Sequence, residues 1–174
     1  MPKKILITVI SILLILGICI TYLSIYGIKT DKFNNFINNK VKDFNSKVTL
    51  QTENVYIKLN LGERAININS KNANLIAESN SIKISNIDIN LNLIKFLKNE
   101  SSIKNIEINS ASNLIKDVTS FLNTIDYNLS RYIFYSQIKE GLLDFKIDAK
   151  LDSKRQESLS YFISGSVRKA KLNI

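Results

Sequence analysis

The sequence contains no histidine and no tryptophan, and it has one cysteine, one proline and five glycines among 174 residues. Without histidine, the chain lacks the commonest general base and the commonest zinc ligand. A single cysteine, Cys19, excludes an internal disulfide and a cysteine metal cluster. No glycine-rich phosphate-binding loop is present. We therefore expect that the chain is not an enzyme and that it has no cofactor and no metal site.

The acidic side chains do not suggest a catalytic pair. Asp144, Asp148 and Asp152 are four residues apart in a strand-like segment, where even spacing places them on one polar face. Asp88 and Glu107 occupy polar positions of two other predicted strands. These patterns favour a solvated face over a metal site.

The formal net charge of +9 raises the question of an acidic partner. The lysines are scattered along the chain and are not clustered with aromatic residues that could stack on bases. We therefore expect no nucleic-acid partner. A weak attraction to anionic lipid head groups fits this charge better, given the membrane anchor that the N-terminus predicts.

A long uncharged segment, Ile5 to Ile28, predicts a transmembrane helix. Its 24 residues would span about 36 Å at ~1.5 Å per residue, enough for a hydrocarbon core of about 30 Å. The alternative is a cleaved signal peptide. The segment is longer than a signal peptide's apolar region of about 7–15 residues, and no small-residue cleavage site follows it, which favours an uncleaved anchor.

The charges around this segment predict its orientation. Lys3 and Lys4 precede it, and Lys29 and Lys32 follow it with Asp31 between them. A short basic tail before a long exported domain favours a cytoplasmic N-terminus. The predicted organisation is a tail and anchor over residues 1–29 and a β-rich domain over residues 30–174.

Two amphipathic helices are predicted outside the anchor. Residues 30–45 place apolar side chains on one helical face, with Thr30 or Asp31 as the cap. This helix either packs on the following sheet or lies on the membrane surface, and packing is the favoured interpretation. Residues 112–129 show a second stripe, with Ser112 as the cap. The apolar positions of the two helices are Phe33, Phe36, Ile37, Val41 and Phe44, and Leu114, Ile115, Val118, Phe121, Leu122, Ile125 and Leu129.

The remaining segments alternate apolar and polar residues with period two, which predicts strands. The predicted strands are "KVTLQ", "ENVYIKLNL", "RAININS", "ANLIAES", "SIKISNIDINLNL", a run from Ile103 or Ile106, "RYIFYSQI", "GLLDFKIDAKL" and "SLSYFISGSVRKAKLNI". The separators "LGER" and "SKN" are short, which predicts antiparallel hairpins.

Three local features complete this prediction. The apolar parity changes across Ser85–Asn86, which predicts a bulge or a break. Gly141 is predicted at a hairpin turn, and "DSKRQES" is predicted to be an exposed loop. The strand that ends at Ile174 suggests the front part of a longer polypeptide.

The order of these elements resembles the N-terminal region of the AsmA-like family of envelope proteins. The resemblance covers roughly residues 1–110: a basic tail, one span, a D-x-F-x-x-x-I segment at 31–37, a strand over 55–59 and the pattern "IDINLNLIKFLKNESSIKNIEI" at 87–108. Two departures stand out. Lys98–Asn99 occupies a position where the family often has glycine, and "FNSKVTL" replaces its G-r-x-v segment.

The resemblance implies an α+β, mainly β fold: a transmembrane helix followed by a curved, mostly antiparallel, taco-like sheet with an apolar groove. It implies a bacterial inner-membrane anchor, a periplasmic domain, membrane phospholipid as partner, and a role in phospholipid transfer to the outer membrane or in envelope integrity. The alternative is a membrane-tethered structural or adaptor domain with a closed core and no ligand. The candidate groove residues are Val55, Ile57, Leu59, Ile66, Ile68, Ile87, Ile89, Leu91, Ile106 and Ile108.

Overall fold

The structure, a computed structural model, describes residues 3–31, 34–98, 100, 103–125, 138–152 and 158–172. The helices in this part of the chain are α1 (Lys3–Ile25), α2 (Asn34–Phe44), α3 (Leu93–Leu97) and α4 (Ile115–Ile125). The strands are β1 (Ile28–Thr30), β2 (Val48–Gln51), β3 (Asn54–Asn60), β4 (Ala65–Ala77), β5 (Asn80–Asn92), β6 (Ile103–Ser110), β7 (Asn113–Leu114), β8 (Ile138–Asp152) and β9 (Ser158–Leu172).

The nine strands form one antiparallel sheet. Its main path is β1-β3-β4-β5-β6-β8-β9. Two short strands extend it locally, because β2 pairs with the second half of β4 and β7 pairs with β8 near its start. Within the described residues β1 and β9 do not pair with each other, so the sheet is open. The prediction of a mainly antiparallel β fold with an N-terminal apolar helix is confirmed.

Helix α1 is the one described helix long and apolar enough to cross a membrane, and it has no buried side chain. It ends at Ile25, where the backbone N–H groups of Tyr26 and Gly27 donate to the carbonyl of Tyr22. The span predicted from the sequence runs to Ile28. The helix stops earlier because Ile28 has entered the sheet, opposite Ile57 of β3.

Helices α2 and α4 pack on one face of the sheet, α2 against β2 and α4 mainly against β5 and β8. Ile37 of α2 and Val118 and Phe121 of α4 are buried in the same cluster as Val55 and Ile84 of the sheet. The prediction that the first amphipathic helix packs on the sheet is therefore confirmed. The residue Phe33 and the side chains of Phe36 and Phe44, predicted for this face, lie outside the described part of the structure.

The separator "SKN" does not form a hairpin, which corrects the sequence-based prediction. Strand β4 continues through it, with Asn72 in the left-handed region at φ 54°. Asparagine tolerates this conformation better than most residues. Opposite Asn72, strand β5 carries the bulge predicted at Ser85, where its register with β6 shifts between Ile84 and Asn86. Both strands change parity at the same level, so their apolar side chains stay on one face.

Thr30, one of the two residues predicted to cap the first amphipathic helix, belongs to β1 and pairs with Val55. The alternative cap, Asp31, precedes residues 32–33, which lie outside the described residues. Helix α2 is described from Asn34, whose N–H group donates to the Asp31 carbonyl at 2.9 Å.

The cap predicted at Ser112 is wrong. Ser112 precedes β7, and its hydroxyl lies 2.6 Å from a carboxylate oxygen of Asp144. Helix α4 therefore begins only at Ile115, after β7. Residues 126–129 of the predicted helix lie outside the described residues.

The predicted turn at Gly141 is not observed, since Gly141 lies inside β8 and is buried. A Cβ at this position would lie 2.8 Å from the Ile115 side chain and 3.3 Å from that of Val167. Glycine therefore permits close packing of α4 and β9 on β8. Most of the predicted strand "RYIFYSQI" and of the predicted loop "DSKRQES" lies outside the described part of the chain, at residues 131–137 and 153–157.

Gly27 joins the apolar helix to the sheet, and its replacement tests how tightly the two are coupled. Its φ is +71°, and a Cβ would lie 2.7 Å from the Ile57 carbonyl oxygen. We expect Gly27→Ala to lower the free energy of unfolding by about 1–3 kcal/mol, because the left-handed backbone and the backbone contact both resist a side chain. Gly17→Ala is the control, since nothing lies within 4 Å of its Cβ position. Thermal unfolding of the full chain in detergent measures both variants. Equal melting temperatures would contradict this role of Gly27.

Candidate functional site

The ten candidate groove residues share one face of the sheet. Cross-strand pairing sets Ile57 opposite Ile68, Ile68 opposite Ile89, and Ile89 opposite Ile106. Since alternate residues of a strand point to the same side, the other six candidates lie on the same face as these four isoleucines. The structure therefore brings the whole predicted set together, across four neighbouring strands.

The row that contains these four isoleucines extends beyond them in both directions. It begins at Ile28 of β1 and ends at Tyr161 of β9, so it crosses seven strands. At about 4.8 Å between neighbouring strands, its length is about 29 Å. We call it the central apolar row; its members are Ile28, Ile57, Ile68, Ile89, Ile106, Ala149 and Tyr161.

Burial along the central apolar row falls from the middle to both ends. Ile68 is 5% exposed, Ile89 and Ile106 are half-buried, and the end residues Ile28 and Tyr161 are 45% and 69% exposed. In the next row burial decreases in one direction, from fully buried Val55 of β3 to exposed Ile163 of β9. The apolar surface therefore continues past the region that is buried in the core.

The β8 and β9 members of this face are not evident from the sequence alone. The alternation of each strand is evident, but the face that receives its apolar residues depends on the pairing of β6 with β8 and of β8 with β9. The first of these pairings sets Ile108 opposite Ile147 and Ile106 opposite Ala149. In β9 the consecutive apolar residues at 161–163 also obscure the period-two pattern.

Polar side chains form a matching ladder on the opposite face. The Asn69 side chain lies between Asn86 and Asp88, with its amide nitrogen 2.7 Å and 2.6 Å from their oxygens. On β6 and β8, the Lys146 ammonium lies 2.8 Å from a Glu107 carboxylate oxygen. Asp88 and Glu107 therefore lie on the polar face, as the sequence predicts.

The charged pairs of this face shift the pKa values of their members. Hydrogen bonds from Lys146 and then from Asn109 hold the pKa of Glu107 below its usual value. The same bond to Glu107 raises the pKa of Lys146. These groups are partly exposed, and such surface pairs contribute little to stability. Their main effect is that the charges and hydrogen-bonding groups of β6 and β8 meet only in the observed register of these two strands.

A second polar cluster joins β9 to β8. Arg168 donates from Nε and Nη2 to one carboxylate oxygen of Asp144, at 2.9 Å and 2.6 Å. Ser112 donates to the other carboxylate oxygen of Asp144, and its hydroxyl oxygen accepts from Arg168 Nη2 at 2.7 Å. The pKa of Asp144 is lowered, most strongly by the hydrogen bond from Ser112 and next by the one from Arg168. The cluster therefore links β8, β9 and the residue that precedes β7 through hydrogen bonds.

A surface depression of about 500 Å³ lies between α2, β2 and β4. Amide and hydroxyl groups line most of it, among them those of Asn34, Asn38, Thr52 and Asn74. Asn34 also donates to the Thr52 carbonyl at 3.0 Å. This lining suits water or a small polar molecule and does not suit an acyl chain.

The most extended feature of the described sheet is its aliphatic face. No three histidine, cysteine or carboxylate side chains in the described ranges are grouped to hold a metal ion. The aliphatic side chains of this face are buried near the core and exposed toward β9. The hydrogen-bonded ladder of polar side chains lies on the opposite face. Such an aliphatic face can bind apolar chains or another apolar surface.

Comparison of the chain with protein-family models, curated proteins and solved structures finds no match.

A pair of neighbouring substitutions in β5 tests the assignment of the two faces. Ile89→Lys places an ammonium on the apolar face, and we expect the free energy of unfolding to fall by several kcal/mol, because a partly buried charge there has no partner. Asn90→Lys places the same charge on the polar face, where surface changes usually stay within about 0.5 kcal/mol. Urea unfolding of both variants measures the contrast. Equal losses would show that the register is wrong.

The Asp144 cluster predicts a contribution to stability that disappears in acid. Because the folded-state pKa of Asp144 is lowered, its contribution is present above the unfolded value of about 3.9 and is lost as the pH falls through the folded value. We expect the melting temperature of Asp144→Asn to fall less steeply than that of the wild type below about pH 4. Ser112→Ala should show an intermediate slope, since Arg168 remains. Parallel profiles for all three proteins would contradict the assignment.

Proposed function

We propose that this protein is a lipid-binding protein of the bacterial cell envelope, anchored in the inner membrane by α1, with residues 30–174 in the periplasm. The observation that carries the proposal is the central apolar row. It begins at Ile28, three residues after α1 ends, and continues across the sheet to Tyr161. In this proposal a membrane anchor is joined directly to an apolar surface about 29 Å long.

The graded burial of this surface supports a ligand that is itself apolar. A sheet with one apolar face covers it with helices, with another sheet or with a ligand. Helices α2 and α4 pack against β2, β5 and β8, whereas Tyr161 and Ile163 of β9 are 69% and 59% exposed. A lipid acyl chain on the remaining surface would gain about 0.8 kcal/mol for each buried CH₂ group.

The anchor and its orientation are part of the same proposal. Helix α1 has 23 residues, which span about 35 Å and suffice for a bilayer core of about 30 Å. Lys3 and Lys4 lie at its beginning and favour a cytoplasmic N-terminus. Tyr22 and Tyr26, whose ring centres are 5.3 Å apart, would then lie at the periplasmic interface.

The biological role follows from the resemblance to AsmA-like proteins. In this proposal the sheet forms the first strands of a taco-like groove that carries phospholipid toward the outer membrane or maintains envelope integrity. The partners are phospholipid acyl chains and the inner membrane. Open ends of the central apolar row, at Ile28 and at Tyr161, are what a lipid path needs.

A membrane-tethered structural or adaptor domain is the second candidate function. The observation that favours it is the well-packed middle of the sheet, where Val55 and Ile84 are no more than 1% exposed. In that case the core is closed by α2 and α4, and the exposed residues of β9 serve a protein contact. The two functions differ in whether lipid binds to the apolar face of the sheet.

Two adjacent exposed residues of β9 separate these functions. Ile163 lies on the apolar face and Phe162 on the polar face, and they are 59% and 66% exposed. We expect Ile163→Lys to lower co-purifying lipid severalfold without lowering the melting temperature, because the side chain is exposed and the charge lies on the lipid path. Phe162→Lys should retain lipid, since it faces Asp148 across the strand pair.

The measurement is lipid mass spectrometry and thermal unfolding on the same preparation of full-length protein. Lipid held around α1 is common to all variants, so the comparison uses the difference between them. A wild type that carries no more lipid than Ile163→Lys would favour the tethered structural domain. Equal loss of lipid in Ile163→Lys and Phe162→Lys would exclude the apolar face as the binding surface.

A further inference from the structure

A group of exposed apolar residues lies at one end of the sheet, outside the central apolar row. Helix α3 presents Ile94, Phe96 and Leu97, which are 45%, 40% and 72% exposed. The β3–β4 turn presents Leu61, which is 50% exposed. We call these four residues the end cluster. Large apolar side chains exposed together mark an interaction surface more often than scattered single ones do.

Hydrogen bonds hold the end cluster to the sheet. The Asn92 side chain accepts from the backbone N–H groups of Ile94 and Lys95 at 3.0 Å and 3.1 Å, which caps α3. The N–H group of Leu93 donates to the carbonyl of Arg64 at 2.9 Å and joins α3 to the β3–β4 turn. The position of the cluster therefore follows from the position of the sheet.

The register places the end cluster at the level where α1 ends. Ile28 and Ile89 belong to the central apolar row, and moving forward along β5 is the same direction as moving backward along β1. Leu93 is four residues beyond Ile89, about 13 Å along the strand, and Leu61 is four residues beyond Ile57. Ile25 is three residues before Ile28, at most about 11 Å away.

The lateral distance is also short. Strands β3 and β4 separate β1 from β5, so α3 starts about 14 Å to the side of the anchor. A helix has a diameter of about 10–12 Å, so this distance is little more than one helix width. The end of α1 and the end cluster therefore lie at the same end of the sheet, little more than one helix width apart.

The charges at this end match a membrane surface with anionic lipids. Basic side chains outnumber acidic ones, and the Lys104 ammonium lies 3.0 Å from the Glu63 carbonyl oxygen of the turn. Lysine and arginine near a membrane surface are attracted to anionic head groups. The basic residues are Lys58, Arg64, Lys95, Lys98 and Lys104, and the acidic residues are Glu63 and Glu100.

We infer that the end cluster inserts into the interfacial layer of the membrane that α1 crosses, and that α3 forms a second membrane contact for the domain. This inference rests on the proposed anchor function of α1. Two contacts about 14 Å apart would orient the sheet on the bilayer, whereas a single helix leaves rotation about the junction free. The surface binds the bilayer itself rather than a single lipid molecule.

Site-specific fluorescence in vesicles tests the inference. Cys19 is replaced by Ala, and a single cysteine carrying an environment-sensitive dye is introduced into the full chain at Leu97. The protein is reconstituted into vesicles of zwitterionic and anionic phospholipids, with and without a quencher on the acyl chains near the head group. Two control positions are Tyr22 at the end of α1 and Ser79 in the β4–β5 turn, about 40 Å from α3 along β5.

We expect the dye at position 97 to emit at shorter wavelength and to be quenched by the labelled lipids, as at position 22, while the dye at position 79 stays in water. Quenching at position 22 with none at position 97 would overturn the inference and leave the anchor intact. Absence of quenching at both positions would overturn the anchor together with the inference. A dye at Ile94 repeats the measurement, so that a local effect of one substitution does not decide it.

A charge reversal distinguishes insertion from accidental proximity. Lys98 is exposed, so Lys98→Glu should not unfold the domain. In vesicles with anionic lipid we expect this variant to reduce quenching at position 97, because a repelled end cluster spends less time in the interface. Ser79→Glu, far from the membrane, should leave that quenching unchanged. Unchanged quenching in Lys98→Glu would overturn the proposed role of the charges.

Discussion

The architecture depends on the hydrogen-bond register between antiparallel strands. Strands β3 to β6 alternate aliphatic and polar side chains over most of their length, so a slip of one residue would move many apolar side chains to water. The polar face supports the same register, because Asn69 reaches Asn86 and Asp88 only when β4 and β5 pair as they do. Burial on one side and amide hydrogen bonds on the other thus favour one arrangement.

This register also connects the apolar helix to the sheet. Because Ile28 pairs with Ile57, only Tyr26 and Gly27 separate α1 from β1, and the positive φ of Gly27 makes the close approach possible. The apolar face, the end cluster and the helix are therefore coupled near the junction. In the proposed function this coupling brings a lipid surface to the edge of a membrane.

Several residues fit the sequence-based prediction because their determinants are local. The period-two alternation of Ile87 and Ile89 and the helical spacing of Val118 and Phe121 each arise within one element. The bulge at Ser85 was also visible, because the apolar parity changes there. The predictions at Ser112, Gly141 and the "SKN" separator failed because each of these sites is placed by a partner distant in the chain.

The sequence predicts an apolar N-terminal helix, a mainly β domain and, within each strand, the aliphatic residues that share a face, since alternation within a strand needs no knowledge of its neighbours. Which strands adjoin depends on the tertiary structure. Pairing of β6 with β8 and of β8 with β9 extended the apolar face to Tyr161, and pairing of β1 with β3 brought it to the end of α1. Ile28 and Ile57 are 29 positions apart in the chain, and Ile106 and Ala149 are 43 positions apart. The energies of such distant pairings depend on the packing of the assembled sheet, which no local pattern contains.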